Sequence, residues 1–415
     1  AVAFGAILLT LGHFFMAFEG DGSGYSNDPT LNVFWLALAL IIVGSGFLKA
    51  NISVIVGQLY PRTDTRRDAA YTIFYMGVNA GAFLGIMLCG YLGEKVSWSF
   101  GFGLAGIFMF FGMLQFWFAA PIFGKIGAKP EPESVKEVEI PAGDRLNPFT
   151  MFDKVLIGLF AVLSILWILN DPLSEIGNSP ILGDGAKSTV ANTVILAALA
   201  CFLTVLISRL TRYTPMVRDR LIAVAIFAFF TVFFWAAFEQ AAGSMSIFAA
   251  DYTARDLTGS AASMFKIVDT ILTIIPLAII TWVLYKLFSQ TFQKISLSNV
   301  ILGFSFLLIW GIVIYKLNRE FTNTDTEVPA TWFAILNSLF IIMFAPLFSR
   351  WWESKYNPSA AIKYGIGLSL LGIGFGFLVF GALSIPQGAK EADVSMIWLI
   401  LAYLFHTLGE LCLSP

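Results

Sequence analysis

Residues 33–59 read VFWLALALIIVGSGFLKANISVIVGQL, an apolar run of 27 residues whose only charged side chain is Lys49. As an α-helix this run extends about 40 Å, and about 20 residues are enough to cross the hydrocarbon of a bilayer. A lysine inside such a helix costs about 2.5–3.5 kcal/mol on insertion scales, so it is expected to have a specific partner or task. The stretch predicts a membrane-spanning helix with a functional cation near its middle.

The composition of the whole chain supports the same environment. Of 415 residues, 58% are hydrophobic and 13% are charged, whereas soluble domains carry about 25% charged residues. The regular alternation of polar and apolar residues that marks membrane strands is missing. The sequence therefore predicts an all-α polytopic membrane protein, with apolar stretches of helical length at about 1–18, 33–59, 71–92, 100–120, 153–170, 190–208, 221–249, 264–288, 298–315, 331–349, 364–385 and 396–415.

The loops between these stretches differ in charge. If residues 60–70 face the cytoplasm, the five loops on that side carry 17 of the 25 Lys and Arg residues. The opposite loops carry seven, and Lys49 lies within a helix. Cytoplasmic loops of membrane proteins are enriched in Lys and Arg, so this bias supports twelve spans and gives their orientation.

Several function classes are disfavoured by what the sequence contains. The net charge of -2 provides no basic field for nucleic acid. Cys89, Cys201 and Cys412 are scattered, and the two histidines are far apart, so no metal site is predicted. The GFGLAG stretch at 101–106 lies inside a predicted span and is assigned to close helix packing rather than nucleotide binding. No nucleophile–base set is recognisable either, and we expect no cofactor and no enzymatic activity.

Three ionisable residues deep in apolar stretches are the first candidates for function. Lys49 is joined by Glu239 in FTVFFWAAFEQAAGSMSIF and Glu410 in LAYLFHTLGELCLSP. The structural alternatives are snorkelling for Lys49 and a buried ion pair for each glutamate. A Lys and two Glu on separate helices predict a polar cavity in which charges pair and re-pair, as proton coupling requires. Asp269 lies nearer one end of its stretch and is expected to be a helix-end residue.

Three further pairs have the i, i+4 spacing that places two side chains on one helix face. Each combines an aromatic or carboxylate side chain with a carboxylate, amide or hydroxyl group, which suits a small zwitterion, although this spacing is common by chance. The pairs are Tyr75 with Asn79, Trp235 with Glu239, and Glu410 with Ser414.

Five motifs in order along the chain resemble one known family. The stretch YTIFYMGVNAGAF at 71–83 closely resembles the signature of the proton-dependent oligopeptide transporter (POT/PTR) family, a branch of the major facilitator superfamily. Four more stretches resemble the fourth, seventh, eighth and tenth helices of its bacterial members: GSGFLKANIS at 44–53, FFWAAFEQAAGS at 233–244, ILNSLF at 335–340 and GELCLSP at 409–415.

The resemblance implies a major facilitator fold, two helical-bundle halves with inserted helix pairs. Residues 1–120 would hold the third to sixth helices, 121–220 a cytoplasmic connector and an inserted helix pair, and 221–415 the seventh to tenth helices. An extra pair at about 264–315 departs from the family pattern, and we expect it to pack peripherally. By the same alignment the chain would be truncated at both ends.

The resemblance also implies a function. The protein would be a proton-coupled symporter in the cytoplasmic (inner) membrane, importing di- and tripeptides by alternating access with the proton gradient as its energy source. Fixed opposite charges would hold the two termini of a peptide. Implied substrate-binding residues are Lys49, Tyr75, Asn79, Trp235, Asn337, Glu410 and Ser414, and implied proton-coupling residues are Lys49 and Glu239.

Other readings stay open at this stage. The main alternative is a major facilitator transporter of another small solute, such as nitrate, a drug or a peptide-like compound. A membrane-embedded enzyme lacks a recognisable reaction centre, and a receptor or channel fits the intramembrane Lys and Glu set poorly. The sequence gives no oligomeric state.

Overall fold

The architecture comes from a computed structural model that describes residues 1–18, 29–61, 64, 66–124, 126–127, 147–177, 179–183 and 188–413. Long helices dominate this part of the chain. In order, the helices are α1 (Val2–Met16), α2 (Pro29–Gln58), α3 (Arg66–Lys95), α4 (Trp98–Ala119), α5 (Met151–Gly177), α6 (Thr189–Leu210), α7 (Pro215–Phe238), α8 (Ser244–Asp251), α9 (Gly259–Thr291), α10 (Ser296–Thr322), α11 (Trp332–Trp352), α12 (Ala360–Ala382) and α13 (Met396–Leu413).

Eleven segments of the described chain are long and apolar enough to cross a membrane. The first predicted stretch forms α1, which at 15 residues falls short of that length. Each predicted stretch coincides with a helix or with the α7–α8 segment. The prediction of an all-α polytopic membrane protein is confirmed.

The structure departs from the predicted elements at three places. The stretch 221–249 is interrupted by a 3-10 helix, Glu239–Ala242, between α7 and α8. Two short strands, β1 (Asp256–Leu257) and β2 (Thr326–Glu327), pair antiparallel outside the helices. Helices α9 and α10 also run beyond the predicted 264–288 and 298–315, because backbone hydrogen bonding continues after the apolar residues give way to polar ones.

The chain divides into two compact units. The first contains residues 1–129 and 236–415, and the second contains 130–235. In the second unit, α5 and α6 pack together, and the fully buried Asp153 accepts a hydrogen bond from Arg212 at 2.6 Å. The domain boundaries given above stay predictions.

The extra helix pair α9–α10 buries one face against the bundle and exposes the other, and its peripheral packing stays a prediction. Leu277 of α9 and Val313 of α10 are both fully buried. They belong to one apolar core with Met87 and Leu88 of α3 and Ile335 of α11. Packing of these apolar side chains against one another holds the inserted pair to α3 and α11.

Glycines set the helix separation at two places that matter for the site. A Cβ built on Gly44 of α2 would lie 2.9 Å from the carbonyl oxygen of Gly5 in α1. A Cβ on Gly409 of α13 would lie 2.7 Å from the carbonyl oxygen of Gly367 in α12. Small residues allow membrane helices to approach this closely. The two contacts fix the helices that carry Lys49 and Glu410.

Candidate functional site

Glu410 on α13 is held by a polar side chain from α11. Its Oε2 accepts a hydrogen bond from Nδ2 of Asn337 at 2.9 Å. The same Nδ2 donates to Oγ1 of Thr407 at 3.1 Å, and the Thr407 hydroxyl donates to the carbonyl of Tyr403 at 2.7 Å. Thr407 is fully buried. These linked hydrogen bonds orient the Glu410 carboxylate. Thr407 is a supporting residue that the sequence analysis missed.

A second acid lies in the same region. Glu239 begins the 3-10 helix after α7, and its side chain is exposed. The charge of Glu239 acts on Glu410, so the two carboxylates interact as like charges. No cation lies within 4 Å of either acid in the described part of the chain. The pair is therefore an unbalanced negative region.

Helix α3 contributes two further residues near Glu410, Tyr75 and Asn79. Asn79 is buried, and its Nδ2 donates to the backbone carbonyl of Tyr75 at 3.0 Å, as the i, i+4 spacing predicts. The Tyr75 hydroxyl is buried without a hydrogen-bond partner among the described residues, and it lies within range of the Glu410 charge. The structure thus brings Tyr75, Glu239, Asn337 and Glu410 together. We call these four residues with Asn79 the chamber cluster.

Lys49 is placed differently. It lies on α2 with its side chain exposed. No carboxylate lies within 4 Å of its ammonium group in the part of the chain that the structure describes. The structure therefore does not join Lys49 directly to Glu239 or Glu410.

Two other predicted residues are not part of the chamber cluster as defined here. Trp235 belongs to the second compact unit, is 37% exposed and contacts Phe234 edge-to-face at 5.5 Å. Ser414 lies outside the described residues. Helix α7 ends at Phe238 and Glu239 begins a 3-10 helix, so the shared helix face of Trp235 and Glu239 stays a prediction.

Sequence reasoning also missed a second polar cluster. Asp269 was expected at a helix end, but α9 begins at Gly259, and Asp269 lies ten residues further along, 3% exposed. Its Oδ1 accepts a hydrogen bond from Lys316 of α10 at 2.5 Å. The available signal was the i, i+4 spacing of Lys316 and Glu320 directly after an apolar stretch.

An apolar cavity of about 580 Å³ lies between α3, α4, α9 and α10. Its lining includes Gly77 and Gly81, and Gln115 and Ser305 are its polar contributors. It has no charged side chain to meet either end of a zwitterion. The chamber cluster, which carries two carboxylates, is the better candidate site for a charged ligand.

Comparison with known proteins gives the family. The sequence matches the POT family over residues 1–317 and again over 305–415. The chain belongs to the POT family. This confirms the resemblance that the five motifs indicated.

The POT-family chain has curated relatives along its whole length. The peptide transporter YePEPT of Yersinia enterocolitica subsp. palearctica is 29% identical over 423 residues, which cover 100% of this chain and 65% of the relative. A di-/tripeptide transporter of Lactococcus lactis subsp. cremoris is 24% identical, with 99% of this chain and 65% of the relative covered. The chain thus spans slightly less than two thirds of the length of these relatives.

Solved structures show the same fold. A crystal structure of a mutant POT peptide transporter in complex with alafosfalin superposes with a TM-score of 0.61 at 26% identity, covering 100% of this chain and 65% of that one. The same transporter in complex with sulfate gives a TM-score of 0.60 at 26% identity. The major facilitator-type helical fold that the motifs implied is therefore confirmed.

Proposed function

We propose that the complete protein is a proton-coupled symporter that imports di- and tripeptides by alternating access. The observation that carries the proposal is the chamber cluster. Glu410 is oriented by Asn337, lies near the like-charged Glu239, and faces Tyr75 from another helix. Membership of the POT family and the similarity to proteins named as peptide transporters support the same activity.

The chamber cluster suits the amino terminus of a peptide. An ammonium group between Glu239 and Glu410 would relieve the repulsion between the two carboxylates and form charge-assisted hydrogen bonds. The exposed ammonium of Lys49 would take the peptide carboxylate, consistent with its having no carboxylate partner in the described structure. Opposite charges at the two ends of the site bind the two termini of any short peptide, so the side chains of the peptide can vary.

Binding would connect the two parts of the chain that flank the second unit. Tyr75 lies on α3, before residues 130–235, and Glu410 lies on α13, after them. A ligand held by both sides favours the conformation in which they are close, which is what alternating access requires. Trp235 and Ser414 remain proposed substrate-binding residues.

Proton coupling would use Glu239 together with Lys49. A proton on Glu239 removes one of two repelling negative charges beside Glu410, so proton arrival and peptide binding favour each other. The proton gradient would supply the energy, with no cofactor and no chemical conversion of the substrate. The inner membrane is the proposed location, with the Lys- and Arg-rich loops in the cytoplasm.

The proposal is tested by uptake of labelled dialanine into liposomes that contain the complete protein, with and without an inward proton gradient. We expect accumulation above the external concentration only when the gradient is present. Competition by unlabelled dipeptides but not by nitrate is expected, which separates peptide transport from transport of another solute. Accumulation of the same size with and without the proton gradient would contradict proton coupling.

A single substitution tests the chamber cluster within the same assay. Glu410→Gln keeps the shape of the side chain and removes its charge, so uptake is expected to fall to near background. The matched control is Glu391→Gln, because Glu391 is exposed and has no ion pair in the described structure. Unchanged uptake by the Glu410 variant would remove that residue from the binding role.

A further inference from the structure

The apolar cavity between α3, α4, α9 and α10 is not used by the proposed transport mechanism. Along α3 its lining runs from Ile73 to Cys89, a rise of about 24 Å at 1.5 Å per residue. A volume of about 580 Å³ over that length makes it a narrow channel. Asn79 of the chamber cluster lies about 200° around α3 from the lining residues Gly77 and Gly81. The cavity is therefore separate from the chamber cluster.

Glycines leave the cavity open on its α3 side. Gly77, Gly81 and Gly85 follow one another at four-residue intervals on one helix face, and all three line the cavity. A Cβ built on any of them would meet no atom of a neighbouring helix within 4 Å. Small residues usually let membrane helices approach closely, but among the described residues no helix fills the space in front of these three. The result is an open groove along α3.

The occupant of this groove has to be apolar. Gln115 and Ser305 are the polar contributors to the lining, and the Ser305 hydroxyl already donates to the carbonyl of Ile301 at 2.9 Å. A buried water needs two or more polar partners, so an apolar cavity of this kind stays dry. Ile73 on the α3 side and Ile279 on the α9 side are exposed, so the cavity opens to the surroundings of the helices. In a membrane those surroundings are hydrocarbon chains.

Two hydrogen bonds fix the direction of the cavity in the membrane. At the end of α4, the carbonyl of Gln115 accepts from the buried hydroxyl of Ser298 in the first turn of α10 at 3.0 Å. At the opposite end, the Tyr91 hydroxyl of α3 donates to Oε1 of Glu320 at 2.8 Å. The tip of the inserted pair, residues 286–297, therefore lies at the membrane face where α4 ends. The loop charges assign this face to the cytoplasm.

The tip of the inserted pair is positively charged. Residues 286–297 contain Lys286 and Lys294 and no acid. No carboxylate lies within 4 Å of either ammonium group in the described part of the chain. Lys286 follows the lining residues Ile279 and Val283 by seven and three positions, so it lies on their face of α9, one turn nearer the membrane surface. Its charge complements an anionic headgroup.

Aromatic neighbours place Lys286 at the depth of lipid headgroups. Trp282 and Tyr285 are both exposed, and Nζ of Lys286 lies 5.8 Å from the ring centroid of Trp282. Trp and Tyr are enriched at the membrane–water interface, and basic side chains on the cytoplasmic side attract anionic lipids. An apolar channel thus begins next to an unpaired cation at headgroup depth, which matches the polarity of a phospholipid.

We propose that the cavity holds one acyl chain of an anionic phospholipid from the cytoplasmic leaflet, with the headgroup phosphate bound by Lys286. The phosphate accepts a charge-assisted hydrogen bond from the ammonium group. The Gln115 amide, at the same end of the cavity, donates to an ester oxygen of the lipid. The bound chain fills the space between α3 and α4 on one side and the inserted pair on the other.

Native mass spectrometry of the complete protein in detergent, titrated with palmitoyl-oleoyl phosphatidylglycerol, tests the headgroup contact. We expect one saturable lipid adduct, and weaker binding of phosphatidylcholine with the same chains. Lys286→Gln is expected to raise the Kd of the phosphatidylglycerol adduct about fivefold, the contribution of one lysine near an anionic lipid. The matched control is Lys355→Gln, because Lys355 is also exposed and also packs on a ring, that of Tyr356, but follows α11.

Filling the groove tests the acyl-chain contact. Gly81→Leu places a side chain in the open space, and we expect the saturable adduct to disappear. Gly372→Leu on α12 is the matched control, since nothing lies within 4 Å of its Cβ either. A phosphatidylglycerol with a photoreactive diazirine on one acyl chain is expected to label α3 between Gly77 and Cys89 in wild type. This labelling decides the question even if Gly81→Leu does not fold.

Three results would overturn the proposal. The first is a wild-type protein without a saturable phosphatidylglycerol adduct, which would mean that another part of the complete protein fills the cavity. The second is an equal Kd in wild type and Lys286→Gln, and the third is photolabelling confined to helices other than α3, α4, α9 and α10. None of these results bears on peptide transport, because dialanine uptake is measured separately.

Discussion

Two polar clusters lie in the same compact unit and differ in how their charges are satisfied. In the chamber cluster, Glu410 receives a neutral hydrogen bond from Asn337, and a second acid, Glu239, lies nearby without a cation. In the inserted pair, Asp269 is met by Lys316 at 2.5 Å, and the pair is buried. One cluster lacks its counter-charge, and the other contains it.

The difference shows what each cluster can do. A buried ion pair that supplies its own partner holds two helices together, and losing one partner is costly. A carboxylate pair that lacks a cation gains most when a cationic ligand arrives. The inserted pair therefore contributes to stability, whereas the chamber cluster is the place where a ligand changes the energy most.

Substituting Lys316 and Lys49 in turn is expected to give the largest difference in stability between the two clusters. Lys316→Met leaves Asp269 buried and unpaired, and we expect the free energy of unfolding to fall by about 3–5 kcal/mol. Lys49→Met removes an exposed ammonium without an ion pair in the described structure, so stability is expected to change by less than about 0.5 kcal/mol. Dialanine uptake by the Lys49 variant is nevertheless expected to be lost.

Denaturant unfolding of the purified complete protein, followed by tryptophan fluorescence, measures both stabilities. Equal losses in the two variants would show that the buried pair contributes nothing beyond an exposed lysine. Partial recovery of stability in the double variant Asp269→Asn with Lys316→Met is expected, because no unpaired charge then remains.

The helix contact beneath Glu410 gives the next largest effect. Gly409→Ala places a Cβ 2.7 Å from the carbonyl oxygen of Gly367, so α12 and α13 must move apart. Overpacking of this kind costs about 1–3 kcal/mol. Gly372→Ala on α12 is the matched control, since nothing lies within 4 Å of its Cβ. The thermal midpoint and dialanine uptake are the measurements, and two variants with wild-type values would refute the role of this contact.

Much of the fold was predictable, because the length of an apolar stretch almost determines a membrane helix. The family resemblance named Asn337 and Glu410 as substrate-binding residues but did not predict the hydrogen bond between them. The inserted pair did not follow, since its burial depends on which surface of the bundle is apolar and unfilled. The interruption at Glu239 was also missed, because an apolar run does not report where α-helical hydrogen bonding stops.

The second cluster was missed for a different reason. Asp269 and Lys316 are 47 residues apart in sequence, and Tyr91 and Glu320 are 229 apart. Local patterns carry no information on such pairs. Lys316 was assigned to a loop because the apolar stretch before it ends at residue 315, although α10 continues to Thr322. Charged residues that continue the helix after an apolar stretch deserve the same scrutiny as those inside it.

A smaller effect is expected when the neutral hydrogen-bond donor to Glu410, the Asn337 amide, is removed. Asn337→Ala removes the hydrogen bonds to Glu410 and Thr407, and the loss of one bond to a charged group is about 1.5 kcal/mol. The dialanine concentration for half-maximal uptake is therefore expected to rise roughly tenfold. Asn318→Ala on the exposed face of α10 is the control. A rise of the same size in both variants would mean that Asn337 does not act through Glu410.

The smallest effect is expected at the rim of the second cluster, where Glu327 is 42% exposed between Lys95 and Arg255. Burial acts to raise the pKa of Glu327, but the hydrogen bond and charge of Lys95 and the charge of Arg255 lower it below its ordinary value. Exposed ion pairs contribute about 0.2–1 kcal/mol, so Glu327→Gln should lower stability only slightly at neutral pH.

The stability difference between wild type and Glu327→Gln is expected to depend on pH in one direction only. Because the pKa of Glu327 is lower in the folded protein, its stabilising contribution is complete above its unfolded pKa of about 4.3 and disappears as the pH falls through the folded value. The difference in thermal midpoint between wild type and Glu327→Gln should therefore shrink on acidification below about pH 4. Glu391→Gln should show no such trend. A gap that widens in acid would mean that Glu327 stabilises the fold in its protonated form, contrary to its ion pairs with Lys95 and Arg255.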